Sequence, residues 1–247
     1  MRNRVLRWSA VALALASILA CGGTSEPDIP TRDIVSTIPW NAPESLRYRI
    51  TDGDDLLGHG ELNITVSGSR FILEQAFVDE KGKFQDSVTS VVDAATLKPV
   101  SVERVISGPE GERRCRADYG AESVQVSQSS EDDSRTDSLE LPEHFYDSAT
   151  DLFLWRTIDS VRGTTIAYED VGTCNILSKP DYTEARLEVI TQEKVRVPAG
   201  SFDSWRLELR SGGRKQKVWI AMADPRQLVR YDNGRQVFEL ESVQTAP

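Results

Sequence analysis

The stretch LRYRIT, residues 46–51, alternates apolar and polar side chains without a break. Its leucine, tyrosine and isoleucine would face one way, and its two arginines and its threonine the other. The same alternation returns in ELNITV (61–66) and in SWRLELR (204–210). A period of two with one apolar face is typical of antiparallel strands that cover a core on one side only.

Turn signals separate these alternating runs. DNGR at 232–235 contains an Asn-Gly pair, which suits a hairpin turn whose two central residues have positive φ. DEKGK (79–83), GPEGE (108–112) and SGGR (211–214) also carry glycine between the runs. About a dozen runs in succession favour a meander over a Greek-key sandwich. The sequence therefore predicts a single all-β, antiparallel domain over residues 45–243.

One segment departs from the strand pattern. LPEHFYDSATDLFLWRTI (141–158) places a proline and acidic residues ahead of an apolar group, which favours one or two short helices near 142–156. The apolar side of such helices, including Phe153 and Trp155, would pack against the concave face of the sheet. The alternative interpretation is a movable lid over a ligand.

Four motifs resemble a known family of exported bacterial proteins. VPAGSFDSWRLEL (197–209), VWIAMADPRQLVRY (218–231) and FELES (238–242) resemble the C-terminal half of the domain-of-unknown-function 3108 family, and VVDAATLKPVSVER (91–104) resembles its N-terminal half. The resemblance covers about residues 46–243. It implies a curved sheet or half-open barrel, like that of the lipoprotein-carrier proteins, with short helices across the open side. It implies no activity and no site residues.

The N-terminus has the pattern of an export signal. An apolar run at residues 8–20 follows a basic head and ends at Cys21; it is shorter than the roughly 20 apolar residues of a membrane span. Its end, ILAC, resembles the lipobox of bacterial lipoproteins. The sequence predicts a signal peptide over residues 1–20, a lipid such as palmitate on Cys21, and a flexible tether over residues 21–44. The alternative is a secreted protein whose cysteine is incidental.

Lipidation would anchor the exported domain, outside the cytoplasm, to the cell membrane or the outer membrane. The chain carries 39 acidic and 29 basic residues, a net charge of −10, and loss of residues 1–20 would remove three of the arginines. Such a charge repels nucleic acid and anionic headgroups. We therefore expect membrane attachment through the lipid alone, and no nucleic-acid partner.

Cys115 and Cys174 are the two cysteines that remain beyond the lipobox. An even number of cysteines in an exported chain favours a disulfide between them. Two free thiols are the first alternative. The second is a functional thiol at Cys115, because the arginines of RRCR around it would favour the thiolate.

The sequence offers little for catalysis or metal binding. His59 and His144 are the only histidines, without His-x-x-x-His or Cys-x-x-Cys spacing, so we expect no metal site. The chain also lacks a Gly-x-Ser-x-Gly elbow, a phosphate loop and a dinucleotide fingerprint. We therefore expect a non-catalytic protein without a cofactor, a hydrolase being a minor alternative.

Two functions from different classes remain. The first is a binding module whose concave face holds an apolar small molecule, a lipid or an acyl chain, lined by Trp205, Leu207, Trp219, Phe153 and Trp155. The second is a structural or protein-interaction component of the cell envelope, its protein partner unidentified, in which these side chains fill the core. Volume separates the two, because a ligand site leaves about 300–1,000 Å³ of lined space and a filled core leaves almost none.

Overall fold

The computed structural model describes residues 28–40, 43–175 and 178–245. Over these ranges the chain is nearly all β. The strands are β1 (Glu44–Asp52), β2 (Asp55–Ser67), β3 (Arg70–Asp79), β4 (Gln85–Asp93), β5 (Pro99–Gly108), β6 (Gly111–Tyr119), β7 (Ser123–Ser129), β8 (Ser134–Glu140), β9 (Phe145–Asp147), β10 (Thr165–Gly172), β11 (Asp181–Val197), β12 (Gly200–Ser211), β13 (Arg214–Ala221), β14 (Leu228–Asp232) and β15 (Val237–Thr245). One short helix, α1 (Asp151–Leu154), lies between two 3-10 turns, Ser148–Thr150 and Trp155–Thr157.

All fifteen strands belong to one sheet. Its order is β8-β7-β6-β5-β4-β3-β2-β1-β15-β14-β13-β12-β11-β10-β9, and every neighbouring pair is antiparallel except β9 with β10. In the described chain, β8 and β9 are the two edges and do not pair with each other. The predicted all-β, half-open barrel with one or two short helices near 142–156 is confirmed, with fifteen strands where about a dozen were expected.

Strand register identifies the concave face of the sheet, because directly paired residues of antiparallel strands point to the same side. One row crosses six strands of the N-terminal half and begins with apolar side chains. After its first two members, polar and apolar side chains alternate. In order, its members are Leu46, Leu62, Gln75, Val88, Arg104 and Cys115.

The helical segment at 148–157 packs into the concave side of the sheet. Phe153 and Leu154 are fully buried, and Trp155 is nearly so. All three belong to the larger apolar cluster, which also contains concave residues of β1–β3 and β10–β14. The segment is therefore part of the core.

Residues 31–40 also lie against the domain. The backbone N–H of Arg32 donates to the carbonyl of Ala167 at 2.9 Å, and the side chains of Ile34 and Trp40 are buried in the larger cluster. The prediction of a flexible tether over residues 21–44 is therefore corrected for residues 31–40, whose apolar side chains have a place in the core. Cys21 and the signal peptide lie outside the described residues.

A buried ion pair connects the helical segment to the first strand. Arg156 Nη2 lies 2.7 Å from Glu44 Oε1, and neither side chain is exposed by more than 2 %. The same guanidinium donates to the carbonyls of Pro225 and Arg226, each at 2.9 Å. Its Cζ lies 4.8 Å from the centre of the Trp40 ring. Arg156 thus joins the N-terminal segment, β1 and the β13–β14 turn.

Candidate ligand-binding site

A cavity of about 390 Å³ lies between the concave face and the helical segment. Its apolar and aromatic lining comes from both halves of the sheet and from the segment itself: Tyr48, Leu62, Phe77, Val88, Leu152, Trp155, Leu228, Tyr231 and Phe238. The volume falls within the range of about 300–1,000 Å³ that is typical of small-molecule pockets. The concave face is therefore not completely filled by protein.

Aromatic rings form one wall of the cavity. The ring centre of Tyr231 lies 5.9 Å from that of Trp155 and 5.4 Å from that of Phe238. The Tyr231 hydroxyl donates to Gln216 Oε1, and the Tyr48 hydroxyl donates to the Leu228 carbonyl at 2.8 Å. Because protein groups satisfy both hydroxyls, this wall offers a ligand ring surface and needs no polar partner from it.

Asp147 stands at the start of the helical segment and is fully hydrogen-bonded. Its Oδ2 accepts from the Tyr119 hydroxyl and from Thr173 Oγ1, and its Oδ1 accepts from the Ala149 N–H at 2.8 Å. These bonds connect β6, the end of β9 and the residue that follows β10. Asp147 is therefore a positioning residue for the cavity wall, although it also contributes to the lining.

Asp151 and Asp170 each accept one hydrogen bond. Asp151 Oδ1 accepts from the Tyr168 hydroxyl at 2.8 Å, and that hydroxyl accepts from Trp155 Nε1 at 3.0 Å. Asp170 Oδ2 accepts from Ser211 Oγ at 3.3 Å, while its Oδ1 is buried without a partner among these residues. Both carboxyl groups line the cavity.

Burial changes the protonation of these two acids. It raises the pKa of Asp170 to about 7, with a further contribution from the charge of Asp147. Burial, and then repulsion by Asp170, raises the pKa of Asp151 well above its usual range. Both groups therefore hold a proton more tightly than a surface carboxyl, and a positively charged neighbour would favour their ionised forms.

Arg104 is the one basic residue in the lining of this cavity, among the described residues. Its Nε and Nη2 form a bidentate pair with Asp86, at 2.9 and 2.6 Å, and its Nη1 donates to the Cys174 carbonyl at 3.0 Å. Arg104 is thus occupied by Asp86. It does not neutralise Asp147, Asp151 or Asp170.

A disulfide joins β6 to the residues just after β10. Cys115 and Cys174 are bonded at 2.10 Å with their Cα atoms 5.6 Å apart, so the predicted disulfide is confirmed and both free-thiol alternatives are wrong. Nearby, Arg135 Nη2 on β8 donates to the Ser178 carbonyl. Because β6 and β10 lie near opposite edges of the sheet, these bonds connect its two halves across the open side.

The structure brings only one of the predicted binding residues to the cavity. Trp155 contributes to the lining, whereas Phe153 and Leu207 are fully buried in the core. Trp205 is partly buried against that core and lies outside the lining. The predicted cluster is therefore largely core, and the cavity lies between β1–β5, β13–β15 and the helical segment.

Trp219 lies on the opposite face of the sheet from the cavity. It pairs directly with Arg206, whose neighbour Leu207 points inward and pairs with Val218. Its Nε1 donates to Glu193 Oε1, and the Arg230 guanidinium carbon lies 5.2 Å from its ring centre. The prediction of a concave position for Trp219 is thus corrected: charged side chains cover the ring on the convex face.

Sequence reasoning did not identify Asp170 as a site residue, although a signal was present. Ile166, Tyr168 and Asp170 alternate along β10 and share its inward face. An acid in the inward position of an otherwise apolar strand is unusual, because ionisable side chains are rarely buried without a specific role. Arg104 gives a similar signal on β5, because it is a charged residue on the strand face that also carries the buried Val102.

The described part of the chain contains no group of three or more His, Cys, Asp or Glu side chains arranged to hold a metal ion. It also contains no helix long and apolar enough to cross a membrane. His144 Nδ1 lies 3.5 Å from Asp33 Oδ1, near the surface.

Comparison with known proteins finds one matching family model and similar solved structures. The family model described as a protein of unknown function (DUF3108) matches residues 47–239. The β-barrel-like protein of domain of unknown function DUF1849 from Brucella abortus is 12 % identical, with 85 % of this chain and 99 % of that chain covered and a TM-score of 0.57. This likeness concerns the fold alone.

A Bacteroides fragilis NCTC 9343 protein with a YmcC-like fold is 13 % identical, with 85 % of this chain and 99 % of that chain covered. Its TM-score of 0.29 is too low to support an argument. No curated protein matches the sequence.

Proposed function

The chain belongs to the family of unknown function DUF3108, and from that premise we propose that it is an exported, non-catalytic module that binds a slender apolar ligand, such as an acyl chain. The ligand would lie in the cavity between the concave face and the helical segment. The observation that carries the proposal is the lined volume of about 390 Å³. A purely structural component with a filled core has no need of such a space.

The chemistry of the lining supports an elongated apolar ligand. Leu62, Val88 and Phe77 line the cavity from neighbouring strands, and Leu152 and Trp155 line it from the helical segment. Each methylene group of the ligand that is buried in such an apolar lining contributes about 0.8 kcal/mol to binding, because it leaves water. That gain is offset in part by the cost of immobilising the ligand.

Filling the cavity is expected to remove binding. Val88 contributes to the lining, so Val88→Trp would place an indole where the ligand lies. The probe is a long-chain alcohol that carries a diazirine, added to membranes that contain the full chain. After irradiation, we expect labelled peptides from the cavity lining, such as those with Phe77 and Leu152, and about a fivefold or greater loss of that labelling in Val88→Trp.

The matched control is Val78→Trp. Val78 pairs with His59 on the convex face and is 38 % exposed, so the same substitution there leaves the cavity unchanged. Labelling of Val78→Trp should equal that of the unmodified chain. If the lining peptides are not labelled, or if Val88→Trp is labelled as strongly as the control, the filled-core structural role replaces the binding role.

We further propose that a lipid on Cys21 holds the module at the cell membrane or the outer membrane. The support is the lipobox-like ILAC, which ends an apolar run of signal-peptide length. Mass spectrometry of the membrane-extracted protein should find an N-terminal Cys21 that carries diacylglycerol, and Cys21→Ser should release the protein or leave it uncleaved. An unmodified N-terminus at another residue would contradict the anchor.

A further inference from the structure

We propose that the ligand of this cavity carries a protonated amine, which Asp151 and Asp170 bind while the apolar body of the ligand lies along the aromatic wall. The inference rests on the proposed function, because it names the ligand class of the same cavity. It extends that function from an apolar chain to a cationic amphiphile.

One carboxylate oxygen that lines the cavity has no hydrogen-bond donor from the protein. Asp170 Oδ1 is buried and has no hydrogen-bond partner among the described residues. Asp151, beside it in the lining, is only 8 % exposed, and its Oδ1 accepts from the Tyr168 hydroxyl. Buried polar atoms are nearly always hydrogen-bonded, because an unpaired one has lost water without replacement. Donors on a ligand in the cavity would supply what the protein lacks.

The described lining carries more acidic than basic residues. Arg104 is paired with Asp86, which leaves Asp147, Asp151 and Asp170 without a basic residue in the described lining. A fatty-acid carboxylate would bring a further negative charge to carboxyl groups that burial already makes harder to ionise. A hydroxyl can donate one hydrogen bond but brings no charge. An ammonium group donates three and carries the opposite charge.

The aromatic wall lies beside Asp151 and Asp170. Tyr231 lies close enough to Asp151 and Asp170 that, after burial, their charges further raise the pKa of its hydroxyl. Trp155 is joined to Asp151 through the Tyr168 hydroxyl. An ammonium group bound between the two carboxyl groups would therefore have aromatic rings beside it. Aromatic faces attract cations through the cation–π interaction.

The test is a competition for the same photoprobe in membranes that contain the full chain. Dodecylamine, dodecanol and dodecanoate share one chain length and differ in the head group, and each is titrated by its mole fraction in the membrane. We expect the amine to suppress labelling of the lining peptides at a concentration about tenfold below that of the alcohol, which is equivalent to about 1.4 kcal/mol. Dodecanoate should be the weakest competitor.

Asp170→Asn removes a charge while it preserves the shape of the side chain. It should reduce the advantage of the amine over the alcohol to about threefold or less, since a charge-assisted hydrogen bond is lost. Asp151→Asn is the second variant, and Asp132→Asn, on an exposed turn, is the matched control. Circular dichroism establishes that each variant is folded.

The outcomes separate the two proposals. Equal potency of the three competitors, or an unchanged amine preference in folded Asp170→Asn and Asp151→Asn, overturns the amine and leaves the apolar ligand in place. Absence of labelling in the lining peptides overturns the proposed function itself. If neither aspartate variant folds, the order of the three competitors on the unmodified chain decides alone.

Discussion

Replacement of Arg156 by methionine is expected to lower the free energy of unfolding by about 3–5 kcal/mol, the usual effect of breaking a buried ion pair from one side. The substitution leaves the Glu44 carboxylate, which is 2 % exposed, without its counter-charge. It also removes the donors to the carbonyls of Pro225 and Arg226. The loss arises from desolvated groups left unpaired, more than from the attraction of the pair itself.

Urea unfolding of the full chain, followed by tryptophan fluorescence, measures this effect. The matched control is Arg113→Met, which breaks a surface pair with Glu110 that is largely in water; it should change the free energy of unfolding by about 0.5 kcal/mol or less. Glu44→Gln combined with Arg156→Met should recover part of the loss, because no buried charge remains. A loss below about 1 kcal/mol for Arg156→Met would contradict the structural role of the pair.

Removal of the disulfide is the second large effect we expect. Cys115 and Cys174 are 59 residues apart in the sequence, and a loop of that size corresponds to about 4 kcal/mol on the chain-entropy model. Cys115→Ala combined with Cys174→Ala should therefore unfold at a lower urea concentration. The unmodified chain should show the same decrease when a reductant is added.

The double alanine variant also serves as the control for the reductant, since its unfolding midpoint should not respond to reduction. If full reduction of the unmodified chain, measured by thiol alkylation, leaves the midpoint unchanged, the disulfide contributes nothing to stability. The effect should also extend to the cavity. Cys174 contributes to its lining and its carbonyl accepts from Arg104, so we expect weaker photolabelling after reduction.

The fold was predictable wherever the alternation of apolar residues is strong, as in β1, β2 and β12. It was underestimated where strands carry no apolar face. β8 has the sequence SRTDSLE without a fully buried residue, and β9 has only three residues. Strands of this kind form because a neighbouring edge supplies hydrogen-bond partners, and a single run of sequence does not contain that information.

The site was less predictable than the fold. Alternation tells which residues of one strand share a face, but the register between strands decides which face is concave. Alternation alone predicts that Leu207 and Trp219 share a face. In the structure, Leu207 pairs with Val218, and Trp219 faces the other way. The cavity also joins residues far apart in the chain, such as Phe77 and Asp170. Only the curvature of the sheet brings them together.

The position of β1 beside β15 has a consequence for folding kinetics. Leu46 pairs with Val243 near the middle of the sheet order, whereas most other strand pairs are neighbours along the chain. The two halves of the sheet can thus form by local hairpin steps, but the central junction requires one contact of very long sequence separation. Such contacts slow folding, because loop-closure entropy is lost before they form. We infer that joining β1 to β15 is a late, rate-determining event, and that until then each half exposes an unpaired central strand to aggregation.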